Sequence, residues 1–293
     1  MKLLFKFNLM LLALFAMGIA ATAFISWDIL QSYAREEVLE RARLLMANAL
    51  AVRKYTLEQI NPLLATQQKY TFLPQSISAY SAREVLKNFI VSNPDYKEYS
   101  YKEATTNPTN PDDRPQDWER DIIEKFRNSG SKAALAGERA TPAGRALFLA
   151  QPLSIGNPNC LECHSTVEAA PRPMIEMYGT ANGFGWQLNQ VVGVQVVSVP
   201  LAVAQARAQK VFTVFMGALA AVLVAIAIVL NLLLWWMFIR PVTQISALAD
   251  RVSLGAVDAP DFVAASRDEI GSLAQSLSRM RRSLVQAMHM LET

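Results

Sequence analysis

Two long stretches of the chain carry no charged side chain, and they constrain the fold more than any other feature. The first runs from Phe7 to Trp27 and the second from Val211 to Phe238. At about 1.5 Å per residue, a helix of either length crosses the roughly 30 Å hydrocarbon layer of a bilayer. We therefore expect two transmembrane helices with a large segment between them on one side of the membrane.

Basic residues at the ends of these stretches predict their orientation. Lys2 and Lys6 precede the first stretch, and Arg240 follows the second. Trp235-Trp236 has the position of an interfacial aromatic belt. We expect a bacterial inner-membrane protein with both termini in the cytoplasm and the middle segment in the periplasm. An alternative for the first stretch is a cleaved secretory signal, since Ala21-Thr22-Ala23 has the small-x-small pattern of a cleavage site.

Composition excludes several classes of protein. The 293 residues are 52% apolar and 18% charged, which is too apolar for a mainly disordered chain. The 28 basic and 25 acidic residues leave a net charge of +3 and form no long run of like charge, so we expect no nucleic-acid partner. The two cysteines, Cys160 and Cys163, are too few for a disulfide framework or a four-cysteine zinc site.

The middle segment combines helices with short strands. A long helix is predicted from Asp28 to about Leu64, and Met46 lies on its apolar stripe. Shorter helices are predicted over Ser81–Val91 and Gln116–Phe126. Strands are predicted over Tyr96–Ala104, Arg145–Leu153 and Val191–Val199. This order predicts an α+β domain with one small antiparallel sheet, and the irregular stretch between the second and third strands is long enough to be functional.

That irregular stretch contains Cys160-Leu161-Glu162-Cys163-His164, a pattern typical of c-type haem attachment. Cys160 and Cys163 bind the two vinyl groups of one porphyrin, and His164 is the proximal iron ligand. We therefore predict one covalent haem c. Three alternatives stand beside it: a thioredoxin-like dithiol, a zinc site that lacks a fourth ligand, and a disulfide that leaves His164 unexplained.

The sixth iron ligand is open. His289 is the only other histidine and lies beyond the second apolar stretch, so the predicted topology excludes it. The remaining candidates are a vacant position, a thioether or a harder ligand: Met46, Met174, Met177, Lys54 or Tyr55. Met46, on the long helix, is the candidate that we assign.

The C-terminal part has two short heptad patterns. Apolar positions recur at Pro241, Ile245, Leu248 and Val252, and again from Ile270 to Leu284. Two such helices from each of two chains make a four-helix bundle. An amphipathic helix on the membrane surface is the weaker alternative, because the basic residues do not line one face.

Here the sequence resembles a HAMP signalling module over residues 239–286. The resemblance rests on Arg240-Pro241, on Gly255 and on Asp268-Glu269-Ile270-Gly271-Ser272-Leu273, although Ser278-Arg279-Met280 departs from the usual Asn-x-Met. It implies a parallel homodimer that converts movement of the second membrane helix into a change of helix packing. It also implies the signalling residues: Pro241, Gly255, Asp268, Glu269, Gly271 and Leu273.

The middle segment resembles the PAS-like or Cache-like periplasmic sensors that carry one c-type haem. The residues that carry this resemblance lie between about 30 and 205: Asn107-Pro108-Thr109-Asn110, Trp118-Glu119, Cys160–His164, Tyr178-Gly179, Gly183-Phe184-Gly185-Trp186, Val192-Gly193-Val194 and Val199-Pro200. The resemblance implies haem bound by Cys160, Cys163 and His164 against the glycine-rich loop.

These expectations divide the chain into six segments. They are a cytoplasmic N-terminus (1–6), a first membrane helix (7–27), a haem sensor domain (28–209), a second membrane helix (210–238), a HAMP domain (239–286) and a helical tail (287–293).

We expect a transmembrane receptor whose haem senses redox state or a small ligand such as a gas. Because no output domain follows the HAMP-like region before Thr293, we expect either a separate cytoplasmic partner of the kinase, cyclase or chemotaxis type or a truncated receptor. The alternative is a membrane-anchored c-type cytochrome for electron transfer, which needs neither the second span nor the heptads. A haem enzyme such as a peroxidase lacks its distal histidine here, so we expect no enzyme.

Overall fold

A computed structural model describes residues 3–142, 144–256, 260 and 268–291. Several features of the sequence analysis lie outside these residues: Lys2, the side chain of His289, most of the connector between the two heptad patterns, and the last two residues of the predicted tail. The chain divides into two compact units. One consists of residues 25–213, and the other consists of the two ends of the chain, up to residue 24 and from residue 214.

Nine helices are described. The first four are α1 (Leu3–Tyr55), α2 (Asn61–Leu64), α3 (Ser78–Ser92) and α4 (Asp117–Ser129). The remaining ones are α5 (Leu161–His164), α6 (Arg172–Tyr178), α7 (Leu201–Leu234), α8 (Arg240–Ser253) and α9 (Glu269–Leu291). The long helix predicted to end near Leu64 is confirmed, with one π-helical turn over Thr56–Ile60. Pro62 in the next turn has no amide hydrogen to donate, which agrees with the loosened helix at this point.

The sheet has four antiparallel strands in the order β1-β4-β3-β2. They are β1 (Ser100–Thr105), β2 (Leu135–Thr141), β3 (Gly144–Ser154) and β4 (Val191–Pro200). The predicted mixture of helices and one small antiparallel sheet is therefore confirmed. The strand expected from Tyr96 begins four residues later, because Pro94 starts a 3-10 turn. β2 was not predicted, since it lies at the sheet edge and has polar and charged side chains.

Both faces of the sheet are covered. On β3 and β4, the odd-numbered side chains Leu147, Leu149, Val197 and Val199 pack against the apolar stripe of α1, which includes Met46. The intervening side chains of both strands pack against α4. A strand that is buried on both faces needs apolar residues at nearly every position, which accounts for the valine-rich sequence of β4.

The segment between β3 and β4 is an excursion from two adjacent strands. Its two ends are joined by backbone hydrogen bonds, from the Ile155 amide to the Gln190 carbonyl (3.0 Å) and from the Asn189 amide to the Ile155 carbonyl (2.8 Å). Because these bonds join the two ends of the segment, its roughly 35 residues of loop and short helix are held at one end of the sheet.

Among the residues that the structure describes, two helices are long and apolar enough to cross a membrane, Leu4–Leu64 and Leu201–Ser253. Asn8 of α1 and Asn231 of α7 form two reciprocal amide hydrogen bonds of 2.8 Å each. These are polar groups within the apolar stretches, and each satisfies the other.

In the C-terminal helices, Ile245 of α8 and Ala274 of α9 are buried against each other, with Leu248, Val252, Ile270 and Leu277 around them. Gly255 follows α8 with φ +93°, a left-handed conformation that favours glycine. The Asp268 carboxylate accepts a hydrogen bond from the Gly271 amide (3.0 Å) and caps α9. The heptad prediction placed Leu273 in the seam, whereas the helix pair buries the neighbouring Ala274 instead.

Candidate functional site

The Cys-x-x-Cys-His motif forms one helical turn within the excursion. The Asn157 side chain accepts a hydrogen bond from the Asn159 amide (2.9 Å) and starts a 3-10 turn, which leads directly into α5. Side chains three and four positions apart lie on the same side of a helix. Cys160, Cys163 and His164 are therefore presented together.

Both thiols are half-buried, and they form no disulfide. Burial raises the pKa of the Cys160 thiol, an effect that the charge of Arg53 opposes. Burial also raises the pKa of Cys163, to about 11, and the charge of Glu162 adds to this rise. The two sulfur atoms are consequently protonated at neutral pH.

His164 is fixed by the glycine-rich loop. Its Nδ1 lies 2.7 Å from the Gly183 carbonyl oxygen, which can only accept, so Nδ1 carries the hydrogen and Nε2 has the free lone pair. The imidazole stacks on the Trp186 ring, with 4.0 Å between the ring centres and 18° between the planes. Burial lowers the pKa of His164, and the bond to Gly183 opposes this effect. The imidazole is thus neutral and oriented, as a metal-binding histidine requires.

Asn107 fastens the same loop. Its Oδ1 accepts from the Gly183 amide (3.0 Å), and its Nδ2 donates to the Phe184 carbonyl (2.9 Å). Gly183 has φ +88°, and a Cβ atom there would lie 2.1 Å from Thr109 Oγ1. The two segments quoted for the resemblance, around Asn107 and around Gly183, are therefore in contact, and the second of them holds His164.

A cavity of about 230 Å³ adjoins the motif. Cys160, Cys163 and His164 line it, together with Trp186 and Met174. The other wall residues come from α1 to α3, from β1, from the end of β3 and from the turns and short helices near them. Those with charged or hydroxyl groups are Arg53, Ser78, Tyr80, Arg83, Glu103, Thr105, Thr109, Asp113, Ser154, Glu162 and Tyr178.

The candidates for a sixth ligand are separated by the fold. Met174 is buried on α6 and lines the cavity. Met46 is buried in the α1 core and is not among the lining residues. Met177, Lys54 and Tyr55 are exposed and do not line the cavity either. Met46 as iron ligand thus stays a prediction from sequence, while Met174 is the methionine that the fold brings to the site.

Within the described ranges, no group of three or more histidine, cysteine, aspartate or glutamate side chains is arranged to hold a metal ion. A porphyrin supplies four nitrogen ligands itself, so haem iron needs only one or two protein ligands. His164 fits that requirement.

The sequence interpretation missed the polar residues of the cavity wall. Arg53 forms an ion pair with Glu103, and Tyr101 donates to the same carboxylate (2.7 Å). In the sequence, Arg53 is an ordinary basic residue at the end of a helix and Glu103 lies in a short strand. No local pattern could have assigned either of them to the site.

Comparison with known proteins gives two family matches. Residues 31–200 match the Tll0287-like family, and residues 233–286 match the HAMP domain. No curated protein matches the chain. Among solved structures, the chain is similar to the cyanobacterial heme-protein Tll0287, with 16% identity and a TM-score of 0.41 over 56% of this chain and 95% of that one. A likeness of this degree supports no inference about this chain. Because the first family match extends over more than half of its residues, the chain belongs to the Tll0287-like family.

Proposed function

We propose that the chain is a transmembrane receptor whose periplasmic PAS- or Cache-like domain carries one c-type haem, senses redox state or a small ligand, and signals through its HAMP domain. The observation that carries the proposal is the position of Cys160, Cys163 and the oriented His164 together on the wall of one cavity. The family that residues 31–200 match is named after Tll0287, which is described as a heme-protein, and this family membership supports the assignment.

The residues present fit a haem. Two unpaired thiols and one neutral imidazole are the donor set of a c-type site. The cavity wall also contains Thr109 Oγ1, a buried oxygen with no hydrogen-bond partner among the described residues. When bound, haem supplies an iron centre that changes oxidation state or takes a small ligand.

The chain's own groups have separate roles. Cys160 and Cys163 would hold the haem covalently, each by addition of its S–H across one vinyl group, a step in which no atom leaves. His164 would present Nε2 to the iron, while the Gly183 carbonyl holds the opposite side of the ring. Trp186 covers one face of the imidazole and prevents it from turning.

Signal output is assigned to the C-terminal helices. Leu273, Met280 and Leu284 on α9 are exposed in the single chain and follow heptad spacing. We propose that a second copy covers them, which makes a homodimeric four-helix bundle, and that a separate cytoplasmic protein of the kinase, cyclase or chemotaxis type reads its packing. Pro241, Gly255 and Glu269 belong to this relay, and no residue is assigned a catalytic role.

The first test is a pyridine haemochrome spectrum of the full chain, expressed in a bacterium with haem-attachment machinery. We expect a c-type spectrum, and its loss when Cys160→Ser and Cys163→Ser are combined, because serine keeps the polarity but forms no thioether. Glu168→Gln, an exposed change outside the cavity wall, is the control and should retain the spectrum. A folded wild-type chain without haem would contradict the proposal.

A second test distinguishes the sensor from the membrane-anchored cytochrome. Removal of residues 240–293 should spare the redox activity of an electron carrier but abolish the output of a sensor. If the shortened chain supports its physiological response fully, the electron-transfer function is the correct one.

A further inference from the structure

An ion pair lies in the wall of the cavity that contains the haem motif. It joins Arg53, near the end of α1, to Glu103 on β1. The Glu103 side chain is 6% exposed and that of Arg53 is 22% exposed. Both residues line the same cavity as Cys160 and His164. Buried charges such as these interact more strongly than charges in water, because less solvent screens them.

The carboxylate is held on both oxygens. Arg53 contacts Oε2, and the Tyr101 hydroxyl donates to Oε1 at 2.7 Å. Tyr101 in turn accepts from Gln195 Nε2 at 3.3 Å, and Gln195 is the cross-strand neighbour of Glu103 on β4. A buried carboxylate with these partners keeps one position.

Arg53 and Tyr101 both keep their protons at neutral pH. Burial acts to lower the pKa of Arg53, but the charge and the hydrogen bond of Glu103 raise it above its ordinary value. Burial and then the charge of Glu103 raise the pKa of Tyr101, so the phenol remains a donor. The charge of Arg53 also reaches Cys160, whose pKa it lowers against the effect of burial.

We infer that the Arg53–Glu103 pair sets the reduction potential of the haem and thereby links its oxidation state to α1. The inference rests on the proposed function. Reduction takes one electron from a soluble one-electron donor, converts ferric to ferrous iron without a change of covalent bonds, and lowers the charge of the site by one. A nearby cation therefore favours the reduced form, and a nearby carboxylate favours the oxidised form.

The link to α1 follows from reciprocity. If the reduction potential differs between two positions of the Arg53 charge, the oxidation state must change the free-energy difference between those two positions by the equivalent amount. Glu103 is fixed in the sheet by Tyr101, whereas Arg53 belongs to α1, the helix that contains the first apolar stretch. Arg53 is thus a positioning residue through which an electron at the site can act on that helix.

The experiment is a redox titration of the full haem-loaded chain in detergent, with soluble mediators and optical detection. Arg53→Gln leaves the carboxylate uncompensated and should lower the midpoint potential. Glu103→Gln leaves the cation uncompensated and should raise it. We expect each to change the ratio of reduced to oxidised haem at fixed ambient potential by tenfold or more, which is about 59 mV for one electron. The double variant should return towards the wild type.

Two further variants serve as controls. Arg53→Lys keeps the charge and should stay near the wild-type potential. Arg41 lies on the same helix, forms an ion pair with Glu37 at 2.8 Å and does not line the cavity. Arg41→Gln should therefore not shift the potential. A folded, haem-loaded Glu103→Gln or Arg53→Gln variant with the wild-type midpoint, or a shift of the opposite sign, would overturn the inference. Absence of haem from the wild-type chain would instead refute the proposed function.

Discussion

At the residue scale, the site depends on a small number of contacts to one histidine. His164 donates to the Gly183 carbonyl and stacks on Trp186, and Asn107 fixes the loop from behind. Position 183 favours glycine for two reasons: its φ is positive, and a side chain there would clash with Thr109. The orientation of the His164 imidazole is therefore determined by Gly183 and Trp186, which it contacts, and by Asn107, which holds the loop.

Substitution of Gly183 by alanine tests this arrangement. Gly185 has a similar φ of +78° but open space around its Cβ position, so Gly185→Ala is a matched control. Both variants carry left-handed strain of roughly 1–2 kcal/mol. The clash with Thr109 should lower the free energy of unfolding of Gly183→Ala by about 1–3 kcal/mol more. Denaturant unfolding followed by tryptophan fluorescence measures both, and equal losses would be inconsistent with the contact.

The Asp113 carboxyl predicts a pH dependence of stability. Burial raises its pKa to about 6, an effect that Arg83 and Lys102 oppose and that Glu103 and Asp112 increase. Because the pKa is raised on folding, this group's stabilising contribution is complete below pH 3.8 and is lost as the pH rises through about 6. The loss is on the order of 2 kcal/mol.

Asp113→Asn should remove this part of the pH dependence. We expect the free energy of unfolding of the variant to change less between pH 4 and pH 7 than that of the wild type, as measured by denaturant titration at several pH values. Asp121→Asn, at an exposed carboxyl of α4, is the control and should keep the wild-type slope. An unchanged slope in Asp113→Asn would show that the carboxyl titrates normally.

At the element scale, the two apolar stretches are joined by Asn8 and Asn231. Each amide donates to the other and to a carbonyl of its own helix, so all of these donors are satisfied without water. In an apolar environment an amide without its partner is costly, and the pair therefore favours one register of the two helices.

A double-mutant cycle measures this contact. Asn8→Leu and Asn231→Leu should each destabilise the chain in detergent, with a coupling energy of about 0.6–1.7 kcal/mol between them. Thr213→Val is a suitable control, because the Thr213 hydroxyl bonds only to the Gln209 carbonyl of its own helix. Additive effects of the two asparagine substitutions would refute the coupling.

At the scale of the whole molecule, the HAMP match and the exposed heptad residues of α9 predict a dimer. We expect the full chain to be dimeric in detergent by size-exclusion chromatography with light scattering. Leu273→Glu combined with Met280→Glu should shift it to the monomer, because four carboxylates cannot be buried in an apolar seam. Leu254→Glu, at an 84% exposed position after α8, should not. A wild-type monomer that still signals would contradict the bundle.

Local patterns were sufficient for several features. The charge-free stretches, the Cys-x-x-Cys-His motif, and the Gly255 and Asp268 signals at the helix ends each lie within a short window of sequence. The helix stripe with Val38 and Met46 was predicted for the same reason, since burial of one helix face imposes a period of about 3.6 residues. β2 was not predicted, because a polar strand at the sheet edge has no regular pattern of apolar residues.

What the sequence by itself determined is therefore the chemistry that is available: two thiols and an imidazole in one turn, two apolar stretches, and a pair of heptad helices. The tertiary structure decided which groups surround that chemistry. Arg53 and Glu103 are 50 residues apart, and Asn107 and Gly183 are 76 apart. Such pairs meet only because α1 packs on the sheet and the β3–β4 excursion returns to β1, and no short-range pattern encodes a contact whose free energy depends on the whole packed domain.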